Sequence, residues 1–321
     1  MTQTVPPVTS YSQQKTILRC PKRYEYYYIK KLRPKTADDK FLFGRAVHHF
    51  LEMYYQAQVN DAHTQDEAFE LAYQSFQEYI QNNFPDSDET HEQANLAEGV
   101  VKHYFQWSKE NDNFKVLGTE IEFQVPFEKF VFTGRFDVLV EINGKYWIME
   151  HKTASQLSTR HTLMDKQITT YIMAAREKGV PVEGVIYNTL KKAVPEKPKI
   201  LKNGRLSTAL NQNITYNTYM EAINELGHDP SAYQEVLEKL QARENPFFSR
   251  EYVTRTEEAL LEAKKDIIRT ELIKSSLEEL NLFPRNETRD CSWDCPFFDL
   301  CLTELEGGDT REVLENYVFA N

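Results

Sequence analysis

The chain has 321 residues, 40% hydrophobic and 12% aromatic, with 38 basic against 49 acidic side chains and a net charge of −11. That length can bury a full core in one elaborated domain, and no apolar run approaches the roughly 18 residues of a membrane span. The acidic balance argues against an indiscriminate phosphate binder, and Met1–Tyr11 has no h-region, so a soluble cytoplasmic protein is expected.

The N-terminal segment, 1–39, sets Lys15, Arg19, Lys22, Arg23, Lys30, Lys31, Arg33 and Lys35 among Tyr24, Tyr26, Tyr27 and Tyr28, around Cys20. Cations among aromatic rings make a strand-tracking surface, or a solvated helix whose tyrosines pack inward. A helical part, 40–112, follows, with helices expected over Lys40–Asn60, His63–Asn83 and Thr90–Glu110. In the first of these, Gly44, His48 and Glu52 are four apart and share a stripe. Glycine there permits close approach of other backbone, and a neutral imidazole can ligate a metal. A helical histidine is more often structural, and His49 is the neighbouring alternative.

The segment 113–205 reads as a catalytic core. Strands are expected over Val116–Val125, Phe130–Ile142, Lys145–Lys152 and Val185–Leu190, with a helix over Leu163–Lys178 crossing between the last two. Asn143-Gly144 separates two alternating apolar runs, the signature of a type I′ hairpin turn. The register of such a turn places Asp137 opposite Glu150, with Cβ atoms about 4.5–5.5 Å apart. Glu150 and Lys152 then share a face with Asp137. Two opposed carboxylates repel unless a cation lies between them, and hard oxygen ligands suit Mg²⁺ or Mn²⁺. Lys152 would position an attacking water. A solvated charge cluster on an exposed strand is the alternative. Downstream, Gln167 and Tyr171 share a helical face, and Lys191, Lys192, Lys197, Lys199, Lys202 and Arg205 form a basic loop able to line a DNA groove.

A second helical part, 206–284, carries helices over Thr215–Leu226, Ser231–Glu244 and Thr256–Leu280 and ends at Pro284. The tail, 285–321, holds Cys291, Cys295 and Cys301. With Cys20 these are all the cysteines of the chain. Three thiols in one short stretch point to a soft-metal site, with Cys20 as fourth ligand. Cys20-Pro21 and Cys295-Pro296 follow the thiolate-proline habit of cluster motifs, and paired Cys-x-x-Cys knuckles are absent. A 4Fe-4S cluster is therefore expected ahead of zinc, and both ahead of disulfides.

These motifs together resemble the PD-(D/E)XK nuclease superfamily, whose core is an Asp followed on the next strand by Asp/Glu, any residue and Lys. Asp137, Glu150 and Lys152 stand at those positions. Gly44-x-x-x-His48 and Gln167-x-x-x-Tyr171 are similar to motifs that RecB-type nucleases add. The split cysteine set is similar to that of the AddB nuclease module and the CRISPR-associated RecB-like exonucleases, although the gap from Cys291 to Cys295 is one residue longer than the family spacing. The resemblance implies an α/β restriction-endonuclease-like core, a central mixed sheet flanked by helices, with an iron-sulfur closure of the two chain ends. It further implies metal ligation by His48, Asp137, Glu150 and the His151 carbonyl, with Gln167 and Tyr171 near metal water or DNA. Cys20, Cys291, Cys295 and Cys301 would hold the cluster. The expected activity is that of a Mg- or Mn-dependent DNase, an exonuclease on DNA ends or single strands in recombination, repair or phage DNA processing. DNA, and recombination or repair proteins, are the partners implied. Lys15, Arg19, Lys22, Arg23, Lys191 and Lys192 are candidate DNA contacts. The alternatives are an inactive nuclease-fold scaffold and an iron-sulfur redox protein, the latter without any flavin or nicotinamide fingerprint to support it.

Overall fold

A computed structural model describes residues 6–35, 41–157 and 162–320. The expected elements form close to their expected bounds, because each carries its own local signal. The first large helix, α3 (Leu42–Ala57), buries Phe43, Val47, Phe50, Leu51 and Tyr54 along one stripe; its expected start at Lys40 lies outside the described residues. Helix α4 (Gln65–Asn83) starts on a capping box between Thr64 and Glu67, and α5 (Asp88–Asn111) on one between Ser87 and Thr90. Strands β3 (Lys115–Pro126), β4 (Val131–Ile142) and β5 (Lys145–Ala154) follow, then α6 (Lys166–Glu177) and β6 (Val182–Lys191). After β6 come α7 (Tyr216–Leu226), α8 (Gln234–Ala242) and α9 (Glu257–Leu280).

The sheet is mixed. β4 pairs antiparallel with β3 on one edge and with β5 on the other, and β5 pairs parallel with β6. The β4–β5 turn has φ of 51° at Asn143 and 77° at Gly144, as a type I′ turn requires. Its register runs from Ile142↔Lys145 to Val138↔Met149. Helices α3, α4 and α5 cover one face, packing Phe50, Phe76, Val100 and Tyr104 on Val138, Val140, Met149 and Ile186. Helices α6 and α9 cover the other, packing Ile168, Ile172, Leu260 and Ile267 on Phe132, Ile148, Val185 and Val253. No helix of the described residues is long and apolar enough to cross a membrane.

Several elements differ from the sequence expectation. A short strand, β1 (Val8–Ser10), pairs parallel with β4 at Val131–Thr133, on the same edge that β5 occupies further along. Helix α1 (Tyr11–Arg19) then starts directly, capped by Ser10, and the one-turn α2 (Pro21–Tyr24) follows Cys20. Within the stretch expected to be all helical, β7 (Phe248–Thr254) adds an antiparallel edge to β6. Its mixed charged and aromatic sequence has no clean alternation, so its pairing depends on β6 being there. The chain ends meet through β2 (Leu32–Pro34) and β8 (Tyr317–Phe319), an antiparallel pair over a core of Tyr26, Leu32, Phe297, Leu300 and Tyr317. Tyr219 and Ile223 of α7, Leu240 of α8 and Tyr233 of the turn before α8 form a satellite core.

Candidate active site

The hairpin does not form the pair expected between Asp137 and Glu150. The β4–β5 ladder stops one pair short of it, at Val138↔Met149. The edge of β4 between the β1 pairing and the β5 pairing is left open from Gly134 to Asp137. There the Asp137 carboxylate takes the acceptor role that a backbone carbonyl would have filled: the His151 N–H donates to Asp137 Oδ2 at 2.8 Å. The strands thus fork, and Asp137 is tied to β5 by its side chain.

Glu150 and Lys152 lie two apart on β5, on the face shared with Ile148, toward α6. Lys152 Nζ donates to Glu150 Oε1 at 2.6 Å and to Gln167 Oε1 at 3.2 Å. Gln167 Nε2 donates to Glu150 Oε1 at 2.8 Å and to the Tyr171 hydroxyl at 2.9 Å. The spacing of four on α6 is what lets Gln167 and Tyr171 meet. Asp165 caps that helix, accepting from the Gln167 N–H at 2.8 Å.

Glu150 is 3% exposed, and its Oε2 is buried with no hydrogen-bond partner among the described residues. Burial, reinforced by the Asp137 charge, pushes the Glu150 carboxyl up to about 8. Burial alone would lower Lys152, but the Glu150 carboxylate outweighs it and holds the ammonium above its ordinary value. A buried carboxylate with an orphaned oxygen beside a second carboxylate fits a divalent cation.

His48 arrives from the opposite layer, on α3. A Cβ at Gly44 would stand 3.2 Å from Thr153 Oγ1, so the glycine lets α3 approach the end of β5. One turn later His48 lies against His151, ring centroids 6.2 Å apart. Burial holds His48 below the ordinary imidazole value, with Asp137 opposing and Lys152 assisting, so the ring is neutral near pH 7 as a ligand must be. His49, the alternative, points elsewhere: its Nε2 meets Ser75 Oγ at 2.9 Å and its ring stacks on Tyr79.

The family model described as the PD-(D/E)XK nuclease superfamily matches residues 8–302. The chain belongs to this superfamily. The protein is thus a nuclease by family, with the mixed α/β sheet of that fold. Among solved structures, the "Putative exonuclease" of Eubacterium rectale aligns over 75% of this chain and 83% of its own, at 12% identity and a TM-score of 0.40. The protein SSO0001 aligns over 93% of this chain and 87% of its own, at 12% identity and a TM-score of 0.33. A search of curated proteins gives no significant match.

This superfamily member carries a buried polar network behind the site that the sequence reading missed. His151 points to the α5 side, stacked on Tyr55 at 5.5 Å, and its Nδ1 meets Asn188 Nδ2 at 2.9 Å. Arg250 of β7 donates to Asn188 Oδ1 at 3.2 Å and to the hydroxyls of Tyr55 at 3.2 Å and Tyr104 at 3.0 Å, and it pairs with Asp112. An arginine flanked by aromatics in an irregular stretch was the only sequence signal. Glu120 is a second omission: it stands across from Asp137 in the β3–β4 register, has φ of 50°, and pairs with Arg135.

The four cysteines are free, and all line one cavity of ≈ 240 Å³ between the N-terminal segment and the tail. Arg285 Nε donates to Cys301 Sγ at 3.3 Å, and the Thr288 N–H to Cys291 Sγ at 3.4 Å. Lys22 and Arg23 also line the cavity. Among the described residues, no three His, Cys, Asp or Glu side chains form a closed metal-ligand group. The N-terminal cations are largely engaged. Arg19 and Arg23 pair with Asp294, Lys22 with Glu25 and Glu304, and the Tyr26 hydroxyl donates to Glu304. Tyr24 and Tyr26 are buried. These two rings pack inward, Tyr27 and Tyr28 are half-buried, and Lys15 lines a groove against α9. At the end of β6, Lys191 Nζ donates to Asn213, and just past it Lys192 Nζ lies over the Phe43 ring.

Proposed function

We propose that the protein is a Mg²⁺- or Mn²⁺-dependent deoxyribonuclease that acts as an exonuclease on DNA ends or single strands, in recombination, repair or phage DNA processing. The observation that carries this reading is the orphaned, buried Glu150 Oε2 beside Asp137 and Lys152. Glu150, Asp137, His48 and the His151 carbonyl are the groups that would hold the cation. When bound, it would neutralise charge on the phosphate and lower the pKa of a water. Lys152, its ammonium fixed by Glu150 and Gln167, would orient an attacking water. Gln167 bonds Glu150, Lys152 and the Tyr171 hydroxyl, and with Tyr171 it would position metal water or substrate. Neutral His48 leaves a lone pair for ligation.

The cysteine cavity supports a 4Fe-4S cluster as a structural brace. It gives a multi-atom group space between four thiols, with N–H donors to two of the sulfurs, one of them from the Arg285 guanidinium. Lys152→Ala tests the catalytic assignment: Mn²⁺-dependent cleavage of labelled DNA should vanish while the circular dichroism spectrum stays unchanged. Undiminished cleavage would sink it. Degradation of a linear single strand with a closed circular strand left intact is the outcome expected of an exonuclease.

A further inference from the structure

The basic loop after β6 is not absorbed by the site just described. Between Glu196 and Glu221 the chain has no acidic residue, although it has 49 in all, and this stretch carries Lys197, Lys199, Lys202 and Arg205. It folds into a tight hairpin. Ile200 bridges Leu206, the Leu201 N–H donates to the Arg205 carbonyl at 2.8 Å, and the Ser207 N–H to the Lys199 carbonyl at 2.8 Å. Gly204, with φ of 77°, makes the turn. Leu206 anchors the hairpin, 1% exposed in the satellite core, while Ile200 and Leu201 project at 60% and 47% exposure. Lys197 pairs with Glu225, but among the described residues no carboxylate ion-pairs Lys199, Lys202 or Arg205. Most other exposed lysines of this acidic chain have found a carboxylate, as Lys109, Lys145 and Lys239 have.

The hairpin also lies downstream of the site. Thr189 pairs with Lys152 across β5 and β6, and Lys197 follows Thr189 by eight residues, at most about 28 Å of extended chain. A strand rising 3.4 Å per nucleotide covers that span in about eight nucleotides. We propose that the hairpin 197–206 is an arm that grips single-stranded nucleic acid beyond the scissile phosphate. Lys199, Lys202 and Arg205 contact phosphates, and Ile200 and Leu201 contact base faces. The proposal rests on the nuclease reading for the position of the scissile phosphate, and on charge and exposure for the arm itself. Three cations without a carboxylate partner on a tight turn, Arg205 resting over the Tyr233 ring 5.9 Å from its centroid, match a phosphate backbone, and apolar side chains between them match the sequence-tolerant base contacts of single strands.

The test is binding of a fluorescent dT30 oligonucleotide in EDTA, where cleavage is silent, followed by anisotropy at 50 to 200 mM salt. The triple change Lys199→Glu, Lys202→Glu, Arg205→Glu removes three contacts and should lower the slope of log K against log salt by about 2. Over that salt range the parent should then lose about 20-fold more affinity than the variant. A control with the same charge change, Lys109→Glu, Lys145→Glu and Lys239→Glu, should leave the slope near that of the parent. A melting curve matching the parent confirms that the variant folds, and Lys199→Gln with Lys202→Gln gives a milder version if it does not. An unchanged slope in the arm variants, or equal losses in arm and control, overturns the arm. A parent that binds through the arm but cleaves nothing with Mn²⁺ upholds the arm and defeats the nuclease reading instead.

Discussion

Arg250→Met tests whether the polar network behind His151 is one buried unit. Arg250 and Asp112 side chains are 7% and 2% exposed, and methionine keeps the stem volume while removing the charge. Removing one partner of a buried pair strands the other, at a cost of about 3–5 kcal/mol. With an unfolding entropy of roughly 2.1 cal/mol/K per residue, a chain of 321 residues should lose about 4–7 °C in Tm. The loss should depend on pH. Burial raises the Asp112 carboxyl above its ordinary value and Arg250 opposes that shift. Without Arg250 the folded-state value rises further above the unfolded one. For a raised acid, stability is fully present below the unfolded value and is lost as pH climbs to the folded one. The Tm deficit, read by differential scanning fluorimetry, should therefore be larger at pH 8 than at pH 5. Adding Asp112→Asn should recover most of it, since no charge is then stranded. A deficit under about 2 °C at pH 8, or a double variant less stable than the single one, would refute the reasoning.

The proposed cation site should depend on pH through Glu150. Its carboxyl, pushed up to about 8, must lose a proton before it can serve as a ligand, so Mn²⁺ affinity should rise about 50-fold from pH 6 to pH 8. Calorimetry in buffers of different ionisation heat should detect the released proton, and a pH-independent affinity contradicts the assignment. Gly184→Ala would place a Cβ 2.2 Å from the Val253 carbonyl oxygen and push β7 off β6. We expect a loss of about 2–3 kcal/mol in urea unfolding, and an unchanged midpoint would show that β7 yields freely. Protein purified without oxygen should be brown, with about four irons per chain, and Cys295→Ser should lose both colour and iron. A colourless protein with a single zinc defeats the cluster.

The elements legible in the sequence were those whose signal is local. The turn at Asn143-Gly144 needs positive φ at both residues, which ties the register of β4 and β5 to two letters of sequence. Helices α3, α4 and α5 carry apolar stripes within their own length, and α4 and α5 add capping boxes. The candidate set was legible because the spacing of two between Glu150 and Lys152, and of four between Gln167 and Tyr171, survives in any strand and any helix. Strand β7 was not, because an edge strand of mixed composition forms only where β6 offers free hydrogen bonds.

By itself the sequence determined which chemical groups meet at the site, their alternation on β5 and their spacing on α6. The tertiary structure alone decided how they meet. Asp137 turns to the His151 N–H because β1 and β5 share one edge of β4 and leave a gap between them. Glu150 has an unpartnered oxygen because α6 closes over only one of its two. Cys20 reaches the tail cysteines because the two chain ends pair as β2 and β8, contacts nearly the whole chain apart that no local pattern encodes.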